Sequence, residues 1–471
     1  MHTICLSQQF AYGTTIVMSA TNLDSYHRTT VMPETNTKIL VCNAGSSSFK
    51  FSLFDAEEEV LLAEGGIDWI KKPTRLVFRQ PDQPEIREEL KLEKHADAAA
   101  RILDDLQAGP SAALHSLDEL RAVGHRVVHG GERYTSAVRI TPEVKQAIEE
   151  LTELAPLHNP ASLDGITAVE QVVPHVPQVA AFDTAFHSTL SEAARTYPVP
   201  KKWTREWGIR RYGFHGLSHC YCAGRAAEMI DRRDLRIVIA HLGNGASVSA
   251  VRDGECVDTS MGFTPLEGLM MATRSGTVDP GMLVHLLRQK KLDANALDNA
   301  LNYESGLLGV SGISSDLRQV LAELSHNPDA RLAVEVYVHR IRQTIGAMAA
   351  TLGGIDALVF TAGVGERAHE IRKRVCENLN YLGLELDRRA NETCTPDADI
   401  ATRASTARIL VIATREDLTI MRETRQLVGS SVSRTREDEI SRPSLVIDKN
   451  KQTNVRPEAA KRALPVKGAL Q

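Results

Sequence analysis

The sequence predicts an α/β protein with an internal duplication, on three observations. Six short apolar runs recur along the chain: "TKILVCNAG" (37–45), "RAVGHRVVHGG" (121–131), "QVAAFDTAFH" (178–187), "LRIVIAHLGNG" (235–245), "DALVFTAGVGE" (356–366) and "ARILVIATRED" (407–417). Each leads into Gly, Asn, Asp or His, the pattern of strands with a ligand beyond their carboxyl ends. Helical stretches separate them, the clearest being "DARLAVEVYVHRIRQTIGAMAATLGG" (329–354), amphipathic and closed by glycine. Finally, the strand–turn–strand unit "VCNAGSSSFKFSLFD" (41–55) is echoed by "IAHLGNGASVSAVRDGE" (239–255), which points to two similar halves.

At 471 residues the chain is too long for one ordinary core, and two domains are expected. With 42% hydrophobic and 24% charged residues the composition is globular. A formal net charge of −5 gives no electrostatic reason to expect nucleic acid or a membrane surface. No apolar run approaches the roughly 18 residues of a membrane span. The seven cysteines are scattered, without paired CxxC spacing. They indicate neither a disulfide framework nor a structural zinc site, and a reducing cytoplasmic compartment fits them. Cys220 and Cys222 read as buried or half-buried thiols.

Residues 1–36 precede the first convincing strand and hold one arginine, so they read as a flexible extension rather than a transit peptide. Residues 431–471 contain no aromatic residue, three prolines and nine Lys/Arg against five Asp/Glu. They read as a solvated, disordered tail.

Within 41–55 the small residues let a backbone approach a ligand, and serine hydroxyls, N–H groups and Lys50 favour an anion. It is not the Walker pattern, which needs Gly-Lys-Ser/Thr opening a helix. A plain hairpin turn and a phosphate loop both fit this stretch taken alone.

Nine motifs in order carry a resemblance across roughly residues 37–425: "NAGSSSFK", "GHRVVHGGE", "PLHNP", "FDTAFH", "YGFHGLSH", "HLGNGAS", "TPLEGLMMATRSG", "SGLLGVSGISSDLR" and "FTAGVGER". The chain resembles the acetate kinases, of the acetate and sugar kinase, Hsp70 and actin superfamily. That resemblance implies duplicated ribonuclease H-like (actin-like ATPase) domains with the active site in the cleft between them. The boundaries expected are 37–187 for the first domain, completed by about 417–430, and 188–416 for the second. It also implies reversible phosphoryl transfer from ATP to acetate with Mg²⁺ (Mn²⁺ substituting), giving acetyl phosphate and ADP. A homodimer is implied too, as is metabolic coupling to a phosphate acetyltransferase.

The reaction needs an anion pocket, a metal and donors for charge on the transferring group. The resemblance places Arg126 and Arg274 at the acetyl phosphate, where a guanidinium offers two parallel hydrogen bonds. It places His215 against the transferring phosphoryl and Asp183 in the site, aligning acetate or orienting Arg126. Asp183 is not read as a general base, because acetate is already ionised at neutral pH. Val128, Leu157, Phe214 and Pro265 match the pocket for the acetate methyl. Ser46, Ser48 and Lys50 line the first loop, and Asn244 and Gly245 the second. Asp316 and Arg318, with Gly363 and Gly365, match nucleotide-binding positions. His158, His187 and His241 sit in matching motifs as supporting residues, His241 beside the nucleotide. Glu416 matches the metal glutamate, with Asn43 helping to place the ion.

Three residues depart from the family's pattern. Thr277 stands where the family usually has Asp, while Arg415 and Arg367 each replace an Asn. Arg415 brings a cation next to Glu416, which bears on metal affinity. Two other functions fit the same scaffold: a propionate or butyrate kinase, and a non-catalytic nucleotide-binding protein. One methylene is worth only about 1–3 kcal/mol of discrimination, so the methyl pocket does not separate the acids.

Overall fold

The computed structural model describes residues 37–69, 72–108, 112–156 and 158–437. Strands β1 (Lys38–Gly45), β2 (Ser48–Asp55), β3 (Val60–Asp68), β4 (Thr74–Arg79), β5 (Ile86–Leu90), β6 (Leu120–Val127), β7 (Val138–Arg139) and β8 (Gln178–Phe182) form one sheet. Its order is β5-β4-β3-β2-β1-β6-β8-β7. A second sheet holds β9 (Arg236–Leu242), β10 (Ala246–Arg252), β11 (Glu255–Thr259), β12 (Ala357–Thr361), β13 (Ala398–Asp399) and β14 (Arg408–Val411), in the order β11-β10-β9-β12-β14-β13.

The two sheets repeat one topology. In the first, β1, β2 and β3 form an antiparallel meander, β6 and β8 continue it in parallel, and two-residue β7 pairs antiparallel at the edge. In the second, β9, β10 and β11 form the meander, β12 and β14 run parallel, and two-residue β13 closes the edge. The similarity of 41–55 and 239–255 is therefore the first hairpin of each half. Only the first sheet extends its meander, through β4 and β5. The strands β8 ("QVAAF") and β12 ("ALVFT") are buried at every position, as expected of parallel strands covered on both faces.

Helices His95–Ala108 and Asn159–Val172 cover one face of the first sheet, packing Ile102, Leu106 and Val169 on Leu40, Leu53 and Val123. The helix expected over 329–354 spans Pro328–Leu352, capped by Asn327 and ended by left-handed Gly353. It lays Tyr337, Ile341 and Ile345 on the second sheet.

The halves exchange their last helices. Helix Gly216–Ile230 follows the first sheet but buries Cys222, Ala223 and Ala226 against Ile237, Ile239, Val359 and Leu410 of the second. Helix Glu416–Glu437 follows the second sheet but buries Leu418, Ile420 and Met421 against Ile39, Val41, Ala122 and Ala181 of the first. Where the two helices meet, the Thr419 hydroxyl donates to the Leu217 carbonyl at 3.2 Å. Each helix thus begins at the junction of the two sheets, presenting the positive end of its dipole there.

The last helix continues to Glu437, past residue 431 where the tail is expected to begin. No proline or glycine stands between Ser430 and Glu437 to end it. Residues 438–471, and the extension 1–36, lie outside the described residues. Among the described residues no helix is long and apolar enough to cross a membrane. Cys222 is buried and Cys220 half-buried, and the Cys222 thiol is pushed up to about 12 by burial.

Glu423 sits on the exchanged helix with Oε2 buried and, among the described residues, without a partner, and burial pushes its carboxyl up to about 7. A raised folded-state pKa means that the folded protein holds a proton the unfolded chain releases between about pH 4.5 and 7. Stability contributed by this group is present below that window and lost as pH rises through it. Glu423→Gln is expected to raise the Tm at pH 8 by a few degrees and leave it nearly unchanged at pH 5. The full linkage is on the order of 3 kcal/mol. Equal shifts at both pH values in thermal melts would refute it.

Candidate active site

The first part of the site follows from strand register. β6 and β8 run parallel with Arg126 opposite Ala181 and Val127 opposite Phe182, so Asp183 emerges beside Arg126. The Asp183 amide donates to the Val127 carbonyl at 3.0 Å, extending the ladder one residue. Arg126 then donates from Nε to Oδ1 at 2.9 Å and from Nη2 to Oδ2 at 2.6 Å. This two-pronged geometry fixes the guanidinium plane. Its Nη1 lies 3.6 Å from Oε2 of Glu416, the first residue of the exchanged helix. Burial works against the Arg126 charge, but Asp183 and Glu416 outweigh it and hold the guanidinium above its ordinary range. Burial raises the Glu416 carboxyl, with Arg126 opposing and Asp183 adding to the rise.

A cavity of about 270 Å³ opens here, lined among others by Asn43, Lys50, Arg126, Thr414, Arg415 and Glu416. Asn43 and Lys50 face one another across the β1–β2 pair. Arg415 donates from Nε to Oδ1 of Asp417 at 3.2 Å and places its guanidinium over the Phe54 ring, 5.9 Å from the centroid.

The second part is built on "YGFHGLSH". His215 precedes helix Gly216–Ile230 with φ +59°, a left-handed conformation that is strained for a residue with a side chain. Gly216 follows because its amide donates to the Asp183 carbonyl at 2.9 Å. A Cβ there would lie 2.2 Å from that oxygen. The helix start is thereby locked to the strand end that carries Asp183. The His215 ring stacks on His241 at 4.2 Å between centroids, and its Nδ1 lies 3.0 Å from the Ser247 hydroxyl.

Arg274 comes from the other side, donating from Nη1 to the Pro265 carbonyl at 3.3 Å. A Cβ on Gly245 would sit 3.4 Å from the His215 ring and 3.5 Å from Nη1 of Arg274, so the three converge. Burial, then His241, Arg126, His219 and Arg274, push His215 well below the usual histidine range. It is neutral at pH 7. Burial also lowers Arg274 from its ordinary value.

A third element is the nucleotide turn expected at Gly363 and Gly365, whose braces, Thr414 and Arg372, carry no local signal of that role. The turn holding Gly363 and Gly365 opens helix Ala362–Arg367 directly after β12, with Ala362 at φ +65°. Thr414 braces it from below: its hydroxyl accepts from the Ala362 amide at 2.8 Å and donates to Oε1 of Glu366 at 2.9 Å. Arg372, almost fully buried, braces it from behind. It donates from Nη1 to the carbonyls of Gly365 and Glu366, from Nε to Oδ1 of Asn391 and from Nη2 to the Asn391 carbonyl.

The remaining expected residues are spread more widely. Ser46 is in the two-residue turn between β1 and β2 and, like Lys50, is exposed; Ser48 opens β2. The Asn244 carbonyl accepts from the Ala272 amide at 3.1 Å, tying the second hairpin to the loop of Arg274. Asp316 caps helix Leu317–Ala322 and pairs with Arg318 at 2.6 Å. Phe214 is buried in the second core with Val128 against it, while Leu157 lies outside the described residues. His187 donates from Nε2 to the Phe214 carbonyl at 2.9 Å, a supporting contact. His158, half-buried, is lowered by burial and then by Arg274 and Arg126. Of the departures, Thr277 accepts from the Gly268 amide at 3.0 Å, and Arg367 is exposed.

These features agree with known proteins. The acetokinase family model matches residues 38–422. An acetate kinase of Gloeobacter violaceus is 50% identical over 403 residues, covering 82% of this chain and 98% of the relative. One of Trichormus variabilis is 48% identical over 398 residues with the same coverage. Among solved structures, the acetate kinase of Porphyromonas gingivalis aligns with TM-score 0.78 at 41% identity, covering 83% of this chain and all of that one. A propionate kinase from Francisella tularensis aligns with TM-score 0.77 at 38% identity, covering 83% and 99%. Both the repeated sheet topology and the sequence identity along nearly the whole length of these relatives lead to one conclusion: the chain belongs to the acetokinase family.

Proposed function

We propose that the chain is an acetate kinase, transferring phosphoryl from ATP to acetate by direct in-line displacement. The observation that carries this reading is the convergence of Arg126, Arg274 and His215 where the two sheets meet. A nucleotide sensor has no need of such an acyl phosphate pocket. Arg126, held in plane by Asp183, presents its remaining N–H edge to a carboxylate or phosphate, which supports the orienting role for Asp183. Arg274 and the neutral His215 donate to charge spread over the transferring oxygens. The methyl of acetate is assigned to Val128, Leu157, Phe214 and Pro265. The nucleotide is assigned to Ser46, Ser48, Lys50, His241, Asn244, Gly245, Asp316, Arg318, Gly363 and Gly365. Closure of the halves would exclude water, which otherwise competes as acceptor.

The oxygen donors of Glu416 and Asn43 beside one cavity suit Mg²⁺, which takes one or two carboxylates and completes its shell with water and phosphate. Among the described residues no cluster of three His, Cys, Asp or Glu is placed to hold a metal ion. Bound there, the ion would neutralise charge on the phosphates. Arg415 bears on its affinity. Arg415→Asn is expected to lower the Mg²⁺ concentration for half-maximal activity and leave the acetate KM unchanged. An unchanged titration would mean that Asp417 already cancels the cation. We also propose a cytoplasmic homodimer, coupled metabolically to a phosphate acetyltransferase.

The test is a hydroxamate assay for acyl phosphate with acetate, propionate and butyrate. Turnover highest with acetate is expected. A preference for propionate would favour the second reading, which the similarity to the Francisella propionate kinase keeps in play. No turnover with any acid would leave a nucleotide-binding module.

A further inference from the structure

Two imidazoles, half-buried His215 and fully buried His219, converge on one hydroxyl. Ser247, fully buried on β10, lies with Oγ 3.0 Å from Nδ1 of His215 and 2.7 Å from Nε2 of His219. His215 and His219 are one turn apart at the start of helix Gly216–Ile230, so their side chains share a face. Burial, reinforced by neighbouring cationic or imidazole groups, pushes both rings well below the usual histidine range, and both are neutral.

A serine hydroxyl carries one proton, so it donates to one ring and accepts from the other. Two arrangements satisfy both contacts. In the first, His219 donates from Nε2 to Ser247, Ser247 donates to Nδ1 of His215, and His215 keeps its proton on Nε2. In the second the chain of donors runs backward. His219 then carries its proton on Nδ1 and His215 presents a bare Nε2. Among the described residues nothing hydrogen-bonds Nδ1 of His219, which is buried. The first arrangement leaves a bare lone pair there; the second leaves an orphaned N–H, the rarer and costlier outcome.

The far side of His215 agrees. Its Cε1–Nε2 edge and Nη1 of Arg274 border the same space beside Gly245. A lone pair facing an anion in that space would repel it, whereas an N–H binds it.

We propose that Ser247 is a positioning residue which, backed by His219, holds His215 as the Nε2–H tautomer, so that His215 acts solely as a donor to the phosphoryl group. This rests on the assignment of His215 made above. The order of donors is His219, Ser247, His215, substrate, with no proton transferred in the reaction.

A double-mutant cycle in kcat separates this from a structural role, because groups acting through one another are not additive. Ser247→Ala is expected to lower kcat at least tenfold, with the ATP and acetate KM values within threefold of wild type. In the His215→Ala background the same change should cost less than twofold. Ser247→Cys, which keeps a proton and nearly the volume but donates more weakly, is measured alongside in case the alanine variant does not fold. It should show the same coupling with a smaller loss. A tenfold loss that persists without His215 would overturn the proposal, as would full kcat in Ser247→Ala. If His215→Ala alone kept normal kcat, the assignment of His215 itself would fall, and the proposal with it.

Discussion

Arg126→Ala is expected to lower kcat by about a thousandfold or more, with the ATP KM changed only a few-fold. Two effects add. The guanidinium proposed to meet developing charge is removed, which by itself is worth about two to three orders of magnitude for a lost transition-state donor. In addition, Asp183 is only 1% exposed and loses its partner, and Glu416, 3.6 Å away, loses a neighbour that favours its ionised form. Two carboxyl groups would then face the space proposed for the anionic substrates. Arg126→Lys separates these effects. A lysine restores charge near Asp183 but not the planar fork that now spans both Asp183 oxygens. It should therefore recover little of kcat. Steady-state hydroxamate kinetics check both variants. A kcat within tenfold of wild type for Arg126→Ala would remove this residue from the reacting site.

The contrast between what was legible in the sequence and what was not follows from range. Both hairpins, at 41–55 and 239–255, were readable because turn chemistry and alternation are local. So was the capped helix Pro328–Leu352. Arg126, Arg274 and His215 are candidates from the sequence because each lies within a motif of the resemblance. The pairing of Arg126 with Asp183 was not settled, since the two are 57 residues apart and meet through the parallel register of β6 and β8. Which sheet each exchanged helix covers was likewise not readable from the residues themselves, and stood only as what the resemblance implies, with 417–430 completing the first domain. Cys222, Ala223 and Ala226 mark a buried face on helix Gly216–Ile230, but nothing local says which sheet covers it. Ser247 lies in "HLGNGAS" and His219 in "YGFHGLSH", but a serine in a strand and a histidine in a helix carry no local sign that they meet.

Arg372 leaves a trace in the sequence. Helix His369–Cys376, "HEIRKRVC", buries Ile371, Arg372, Val375 and Cys376, so an arginine occupies the apolar stripe at helical spacing. A charge there needs a reason, and the structure supplies one. Its guanidinium binds the carbonyls of Gly365 and Glu366 and both the side-chain and main-chain oxygens of Asn391. Among the described residues no carboxylate pairs with it, and burial lowers it from the ordinary arginine value. It serves as a fork of donors for oxygens that would otherwise be buried without partners. Arg372→Ala is therefore expected to destabilise the fold by about 3–5 kcal/mol, the range for breaking a buried polar network. Because two of those oxygens belong to the turn of Gly363 and Gly365, the turn should loosen as well. The ATP KM is then expected to rise at least tenfold, with the acetate KM within threefold. Thermal melts give the first quantity and steady-state kinetics below the new Tm give the second. A lower Tm with an unchanged ATP KM would mean that this turn does not hold the nucleotide, and Gly363 and Gly365 would lose the place assigned to them.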